Sequence, residues 1–324
     1  MFGLPHLFSL AVSTTVEFDC HGRRVASRRR GRTVRAPRME RGEEIELAGG
    51  SRYVIEELLG RGGMGHVYRA RRLSDGRMVA IKVAALQPGK NYNRYLRQEA
   101  KHLMRLDHRH IIKLLEHGRL AGGRYCLALD YADGRTLDQL LNDGPMSLER
   151  AVDICQQVAD ALEHCHAAGL VHGDLKPANI MVCRRGGADH VCVLDFGIAG
   201  FENRGRSGPD KSSPLSVFYM SPEQMLNKPH TRKTDTYQIG LLFFECLFGC
   251  LPFKRSVEDA VQYRLRGKRL VTPRDQRLSC SRYWPSIARI LRRALSQCPS
   301  TRYASAADLS ADLRQLLRQI QSGP

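Results

Sequence analysis

The chain has 324 residues, room for one two-lobed enzyme or two ordinary domains, and its 42% hydrophobic and 26% charged content is globular. No run of about 18 or more apolar residues exists, so no transmembrane helix is expected. The ten cysteines form no C-x-x-C pair, and several sit in apolar runs such as Val191-Cys192-Val193, which argues against a disulfide frame and for reduced thiols in a cytoplasmic protein. The net charge of +18 fits a self-repelling surface or attraction to an acidic partner, and no nucleic-acid motif accompanies it.

In chain order, Phe2 to Val12 is apolar but short and lacks a basic leader, so no signal peptide is expected. Arg23, Arg24, Arg28, Arg29, Arg30, Arg32, Arg35, Arg38 and Arg41 then crowd a stretch with almost no apolar periodicity. Such a segment buries too little to offset its ordering entropy, which predicts a disordered or loosely attached arm over residues 1–50. Met39 is an alternative true start. From Tyr53 the texture changes: Val54 to Leu59 and His66 to Arg71 read as strands flanking a glycine turn. Ser74-Asp75-Gly76-Arg77 is a hairpin turn, and Met78 to Val83 a third strand. Asn93 to Leu106 has helical spacing, and Tyr125 to Tyr131 is a short apolar strand. Beyond Ala132-Asp133-Gly134, helices are expected at about 148–168, 235–249, 256–266, 285–296 and 305–320. The expected fold is α+β: a strand-rich small lobe (about 51–132), a helical large lobe (about 133–320) and a tail (321–324), with a cleft where the lobes meet. His164-Cys165-His166 invites a metal reading, but helix neighbours point different ways and no second ligand cluster is evident.

Four motifs stand in one order: Gly60-Arg61-Gly62-Gly63-Met64-Gly65-His66-Val67, Val79-Ala80-Ile81-Lys82, His172-Gly173-Asp174-Leu175-Lys176-Pro177-Ala178-Asn179 and Asp195-Phe196-Gly197. The glycines let a backbone turn approach phosphates without Cβ obstruction. Strand follows strand around them, which argues against a dinucleotide loop. A lysine inside Val-Ala-Ile-Lys-Val is costly unless paired. Together the motifs, over roughly residues 51–320, resemble those of the eukaryotic-type (Hanks-type) protein Ser/Thr kinases of the soluble bacterial kind.

The resemblance implies a two-lobed kinase fold and transfer of the γ-phosphoryl of ATP, with Mg²⁺ (or Mn²⁺), to protein hydroxyls, including the chain's own. Gly60, Gly62, Gly65, Val67, Ala80, Leu129, Asp130, Ala132 and Met181 would surround the nucleotide, and Lys82, paired with Glu99, would hold its α- and β-phosphates. Asp174 would take the substrate hydroxyl proton, Lys176 would balance charge on the travelling group, and Asn179 and Asp195 would hold the metal. Phe196 would pack beneath the Glu99 helix, and Gly197 would let the segment turn. Glu223, in Ser221-Pro222-Glu223, would pair with Arg302, and Asp235 would steady the catalytic loop. Ser216 stands where relatives carry a Thr that contacts the catalytic Asp and Lys.

Gly173 departs from the pattern. Most such kinases carry Arg there, and in many of them it captures a phosphate on the activation loop. With Gly173, and with Ser207, Ser212, Ser213 and Ser216 but no Thr in residues 200–217, activation-loop phosphorylation is not expected to be the switch. His-Gly-Asp also occurs in small-molecule phosphotransferases of the same fold, which form the alternative enzyme; a catalytically inactive scaffold is the alternative of another class. Thr136, Ala178 and Phe218, matching the subsite of arginine-selective relatives, are not acidic, which predicts neutral or acidic acceptors unless Glu245 lines the groove. The partners implied are protein substrates and a cognate phosphatase or phosphopeptide-binding protein; no nucleic-acid partner is expected.

Overall fold

The structure, a computed structural model, describes residues 17–18, 24–25, 39–62, 65–86, 91–196, 200–201, 216–253, 256–266 and 281–322. The chain divides into two units, residues 1–35 and 36–324. In the first, β1 (Glu17–Phe18) pairs antiparallel with β2 (Arg24–Val25). Most of the expected arm lies outside the described residues.

The second unit begins earlier than the boundary expected at residue 51. β3 (Glu44–Glu46) pairs antiparallel with β4 (Arg52–Arg61), and Met39, Ile45 and Leu47 are buried. Ile45 and Leu47 alternate with exposed residues, the period-two pattern of a half-buried strand, and three residues are too few to stand out between glutamates. The expected arm is therefore corrected: residues 39–50 belong to the body that follows.

β5 (Gly65–Arg72), β6 (Met78–Ala84), β7 (Leu114–Arg119) and β8 (Tyr125–Asp130) complete an antiparallel sheet of order β3-β4-β5-β6-β8-β7. Along β6, Val79, Ile81 and Val83 are fully buried while Ala80 and Lys82 are half-buried. The first set joins Tyr53, Ile55, Tyr68, Ala70, Cys126 and Ala128 in a core on one face of the sheet. Leu127 and Leu129 join the other core, which continues into the helices. Directly opposed residues share a face, so the pairs Val67 with Lys82, Lys82 with Leu127 and Ala80 with Leu129 place all five side chains on that second side.

α1 (Tyr92–Leu103) buries Tyr92, Leu96, Glu99, Ala100 and Leu103, one helical stripe, and Asn91 caps its start by accepting from the Arg94 amide. The large lobe is built on α3 (Leu148–Ala167) and α5 (Arg232–Phe248), with α7 (Trp284–Ala294) and α8 (Ala306–Gln321) packed about them; α6 (Val257–Arg266) lies between α5 and α7 in sequence. Every residue of α5 from Thr234 to Leu247 is buried, so α5 is a central helix. A Cβ at Gly240 would stand 2.7 Å from Ala294 Cβ, so glycine sets the close approach of α5 to α7.

Besides β3, the sequence reading missed β7, β9 (Gly134–Thr136), α2 (Leu137–Leu141) and the hairpin of β11 (Ile180–Arg185) and β12 (Ala188–Val193). The hairpin turn is Gly186-Gly187, both at positive φ, a signal present in the sequence. β9 pairs with β11, and this small sheet carries Met181 and delivers the chain to Asp195.

Candidate active site

The upper wall is the second face of the six-stranded sheet. Val67, Ala80, Asp130, Ala132 and Met181 are half-buried, and Leu129 is buried. The turn between β4 and β5 carries the glycines. At Gly65 an added Cβ would lie 2.1 Å from the Val83 carbonyl oxygen, so no side chain fits, and the Gly62 amide donates to the Gly65 carbonyl at 2.8 Å. Gly60 has open space around it. Asp130 accepts from Arg77 Nη2 at 3.0 Å and from the Tyr131 amide at 3.0 Å, which fixes the start of the lobe connection.

Lys82 joins the lobes. Its Nζ lies 2.7 and 2.8 Å from the Glu99 carboxylate oxygens and 3.0 Å from Asp195 Oδ1. Burial works against the ammonium charge, yet Asp195 and Glu99 outweigh it and raise the lysine above its ordinary value. Burial raises Glu99 to about 7 against the pull of Lys82. Burial opposes ionisation of Asp195 too, but Lys82 brings it down to about 2. Asp195 adopts φ 63°, a left-handed conformation that carboxylate residues tolerate better than most. Its side chain remains 31% exposed, open to a ligand. Phe196 is fully buried against the His172 ring, whose centroid is 5.0 Å away. Gly197 lies outside the described residues.

The loop after β10 (Leu170–Val171) has every backbone amide from His172 to Leu175 assigned. Those of His172 and Gly173 donate to the two oxygens of Asp235 at 3.0 and 2.8 Å. The Asp174 amide donates to His172 Nδ1 at 3.2 Å, and the Leu175 amide to Gln238 Oε1 at 3.1 Å. Since His172 Nδ1 accepts, its Nε2 carries the proton that it gives to the Leu194 carbonyl at 3.1 Å. Lys176 Nζ lies 2.6 Å from Asp174 Oδ2, and Asn179 directs its amide hydrogens to the Asp174 carbonyl at 2.9 Å. Asp235 is fully buried; burial would raise it, but the hydrogen bond from His166 Nε2 at 2.7 Å, with the other donors, holds it below its usual range.

Below the loop, Arg302 donates twice to Glu223, at 2.8 Å each, and Thr234 Oγ1 donates at 2.9 Å to the same carboxylate. The Arg302 side chain is sealed from solvent and also reaches the Ser296, Gln297 and Lys233 carbonyls, so every part of its fork is used. Ser216 opens the short turn Ser216–Tyr219. Phe218 is buried, and Glu245, weighed as a groove-lining glutamate, is only 1% exposed and accepts from the Tyr219 hydroxyl, so it does not line a groove. Ser207, Ser212 and Ser213 lie outside the described residues.

Several working residues were not found by pattern. His166 serves as a partner of Asp235 rather than as a metal ligand. His102 on α1 lies 3.1 Å from the Phe196 carbonyl through Nδ1; a carbonyl only accepts, so Nδ1 carries the proton. Gln224, Gln238 and His230 gather at Gly173. Nothing local marks these residues, because their partners lie 51 to 94 positions away or on another element.

Asp195 and Asn179 offer hard oxygen donors. Among the described residues no group of three or more His, Cys, Asp and Glu is arranged to hold a metal alone. A cation here would draw its other ligands from phosphate oxygens and water, which suits a hard divalent metal.

Residues 53–316 match the family model described as protein kinase domain. The chain is 37% identical over 288 residues to serine/threonine-protein kinase pkn3 of Myxococcus xanthus, covering 84% of this chain and 52% of the relative. It is 33% identical over 270 residues to serine/threonine-protein kinase PrkC of Bacillus subtilis, covering 81% of this chain and 40% of the relative. Identity to serine/threonine-protein kinase PknB of Mycolicibacterium smegmatis is also 33% over 270 residues, with 81% and 42% covered. The chain thus spans about half the length, or less, of these curated relatives.

Proposed function

Because this chain belongs to the protein kinase domain family, we propose that it transfers the γ-phosphoryl group of ATP to serine and threonine hydroxyls of proteins, its own included. The observation that carries the reading is Lys82 bridging Glu99 and Asp195 across the lobes, beside the Asp174–Lys176 pair.

In this reading the glycine turn and Lys82 hold the phosphates, and the face of Val67, Ala80 and Leu129 covers the base, with Asp130, Ala132 and Met181 around it. Asn179 and Asp195 would hold the divalent metal, which when bound would offset phosphate charge. Asp174 takes the acceptor hydroxyl proton as the new oxygen–phosphorus bond forms and the bond to the β-phosphate oxygen breaks. Lys176 balances charge on the group in transit, and ADP leaves. Glu223, Arg302 and Asp235 hold the floor. Protein substrates, and a phosphatase or phosphopeptide-binding protein acting on them, are the partners that follow. Among the described residues no helix is long and apolar enough to cross a membrane, and the buried free thiols of Cys126, Cys155, Cys165, Cys183, Cys192 and Cys246 support a reducing, cytoplasmic setting.

The test is incubation with Mg²⁺ and ATP, with phosphosites located by mass spectrometry. Asp174→Asn should lose turnover by about 10² to 10⁴-fold while nucleotide affinity is kept, because the proton acceptor goes and the phosphate cradle stays. A variant at near-native rate would remove Asp174 from its role.

A further inference from the structure

Gly173 gives the loop before Asp174 no side chain at that position, and the space is filled. An added Cβ would stand 2.8 Å from His230 Nδ1, and Gly173 has φ 71°, so no larger residue fits without moving His230. Two buried glutamines hold the loop instead, Gln238 of α5 and Gln224 of α4 (Pro222–Met225), only 1% and 5% exposed.

Their amide orientations follow from their neighbours. The Leu175 amide can only donate, so it fixes Oε1 of Gln238, at 3.1 Å. Gln238 Nε2 then faces the Tyr219 carbonyl at 3.2 Å, Gln224 Oε1 at 3.3 Å and the Gly173 carbonyl at 3.4 Å. The Ser221 amide likewise fixes Oε1 of Gln224, at 2.9 Å, and Gln224 Nε2 donates to the Gly173 carbonyl at 2.7 Å. Asp174 stands between the two residues whose backbone Gln238 holds. The same amide holds Tyr219, the end of the turn that opens with Ser216. Asp235, three residues earlier on α5, holds His172 and Gly173, so one helical face carries both anchors.

We propose that Gln238 is a positioning residue for phosphoryl transfer, its one amide holding the backbone on both sides of Asp174 in register with the Ser216–Tyr219 turn. The proposal rests on the kinase reading. These bonds of a neutral, buried amide are made in the unmodified chain, so the alignment they give needs no added phosphate. Reacting groups displaced by about 1 Å lose on the order of 10²-fold in rate, so loosening this tie acts on turnover and not on nucleotide binding.

The experiment compares wild type with Gln238→Met, which keeps side-chain length and loses the amide, and with Gln238→Glu, which keeps the acceptor for Leu175. For Gln238→Met, kcat toward a protein acceptor should fall about ten- to a hundredfold with the KM for ATP nearly unchanged. Amide exchange at Leu175 and across residues 216–219 should rise together. Gln238→Glu should be intermediate, worsening as pH rises and its carboxyl loses the proton it could donate. Should Gln238→Met not fold, Gln238→Glu carries the comparison through that pH dependence. An active wild type matched by Gln238→Met in kcat, or exchange rising at one segment alone, overturns the proposal. So does a loss of kcat that tracks loss of ATP binding or of the unfolding midpoint. A wild type that transfers no phosphate sinks the kinase reading, whereas the exchange measurement decides the coupling by itself.

Discussion

Asp195 and Glu223 use carboxylates in opposite ways. Asp195 is held ionised beside Lys82 yet keeps an exposed edge, which suits exchange of the lysine for a metal and phosphates. Asp195→Ala should abolish Mg²⁺-dependent turnover with the fold intact, and the thermal stabilisation by Mg²⁺-ATP should shrink. An undiminished shift in a melting assay would count against the metal role. Glu223 is structural: burial would raise its pKa, but Arg302 outweighs burial and holds it below the ordinary 4.5. A depressed carboxyl adds stability above the unfolded value and loses it as pH falls through the folded one. The melting temperature of wild type should therefore drop steeply below about pH 4.5, and Glu223→Gln should start lower and show a shallower acid slope. Parallel curves for the two proteins from pH 7 to 3 would place the acid sensitivity elsewhere.

Elements differ in how much of their work local sequence can state. α5 is legible as a helix, yet its role as a central post depends on neighbours on every side, and Gly240 has meaning only because Ala294 arrives from α7. The β11–β12 hairpin announces itself through Gly186-Gly187, while β7 does not: its residues are half-buried apart from Gly118 and Arg119, so no clean period marks it. The kinase resemblance expects an arginine in place of Gly173 to serve a phosphate switch in the segment after Asp195. With His230 against Gly173, no arginine can serve there. Single replacements of Ser207, Ser212 and Ser213 by Ala should leave turnover of an outside acceptor within a few-fold, read by initial rates. A collapse at Ser212 or Ser213 that a phosphomimic rescues would sink this expectation.

At the scale of the molecule, the division at residue 35 and the pairing of β3 with β4 make a prediction about length. A chain starting at residue 36 should melt within a few degrees of the full chain. One starting at residue 51 loses Ile45 and Leu47 from the core, each worth roughly 1.5–3 kcal/mol of burial, and should melt well below both. Equal midpoints for all three, by calorimetry, would show that β3 adds nothing. The sequence by itself determined the two-lobed class and the order of the four motifs, and it singled out Lys82, Glu99, Asp174, Asn179 and Asp195 as candidates, because each motif is short and strand and helix periods are local. Only the tertiary structure decided that residues 39–50 belong to the body, that Glu245 is sealed under Tyr219, and that His102, His166, Gln224 and Gln238 hold the loops in place. Those bonds join residues far apart in the chain, and a buried amide or imidazole gains its meaning only from the backbone groups that packing brings against it.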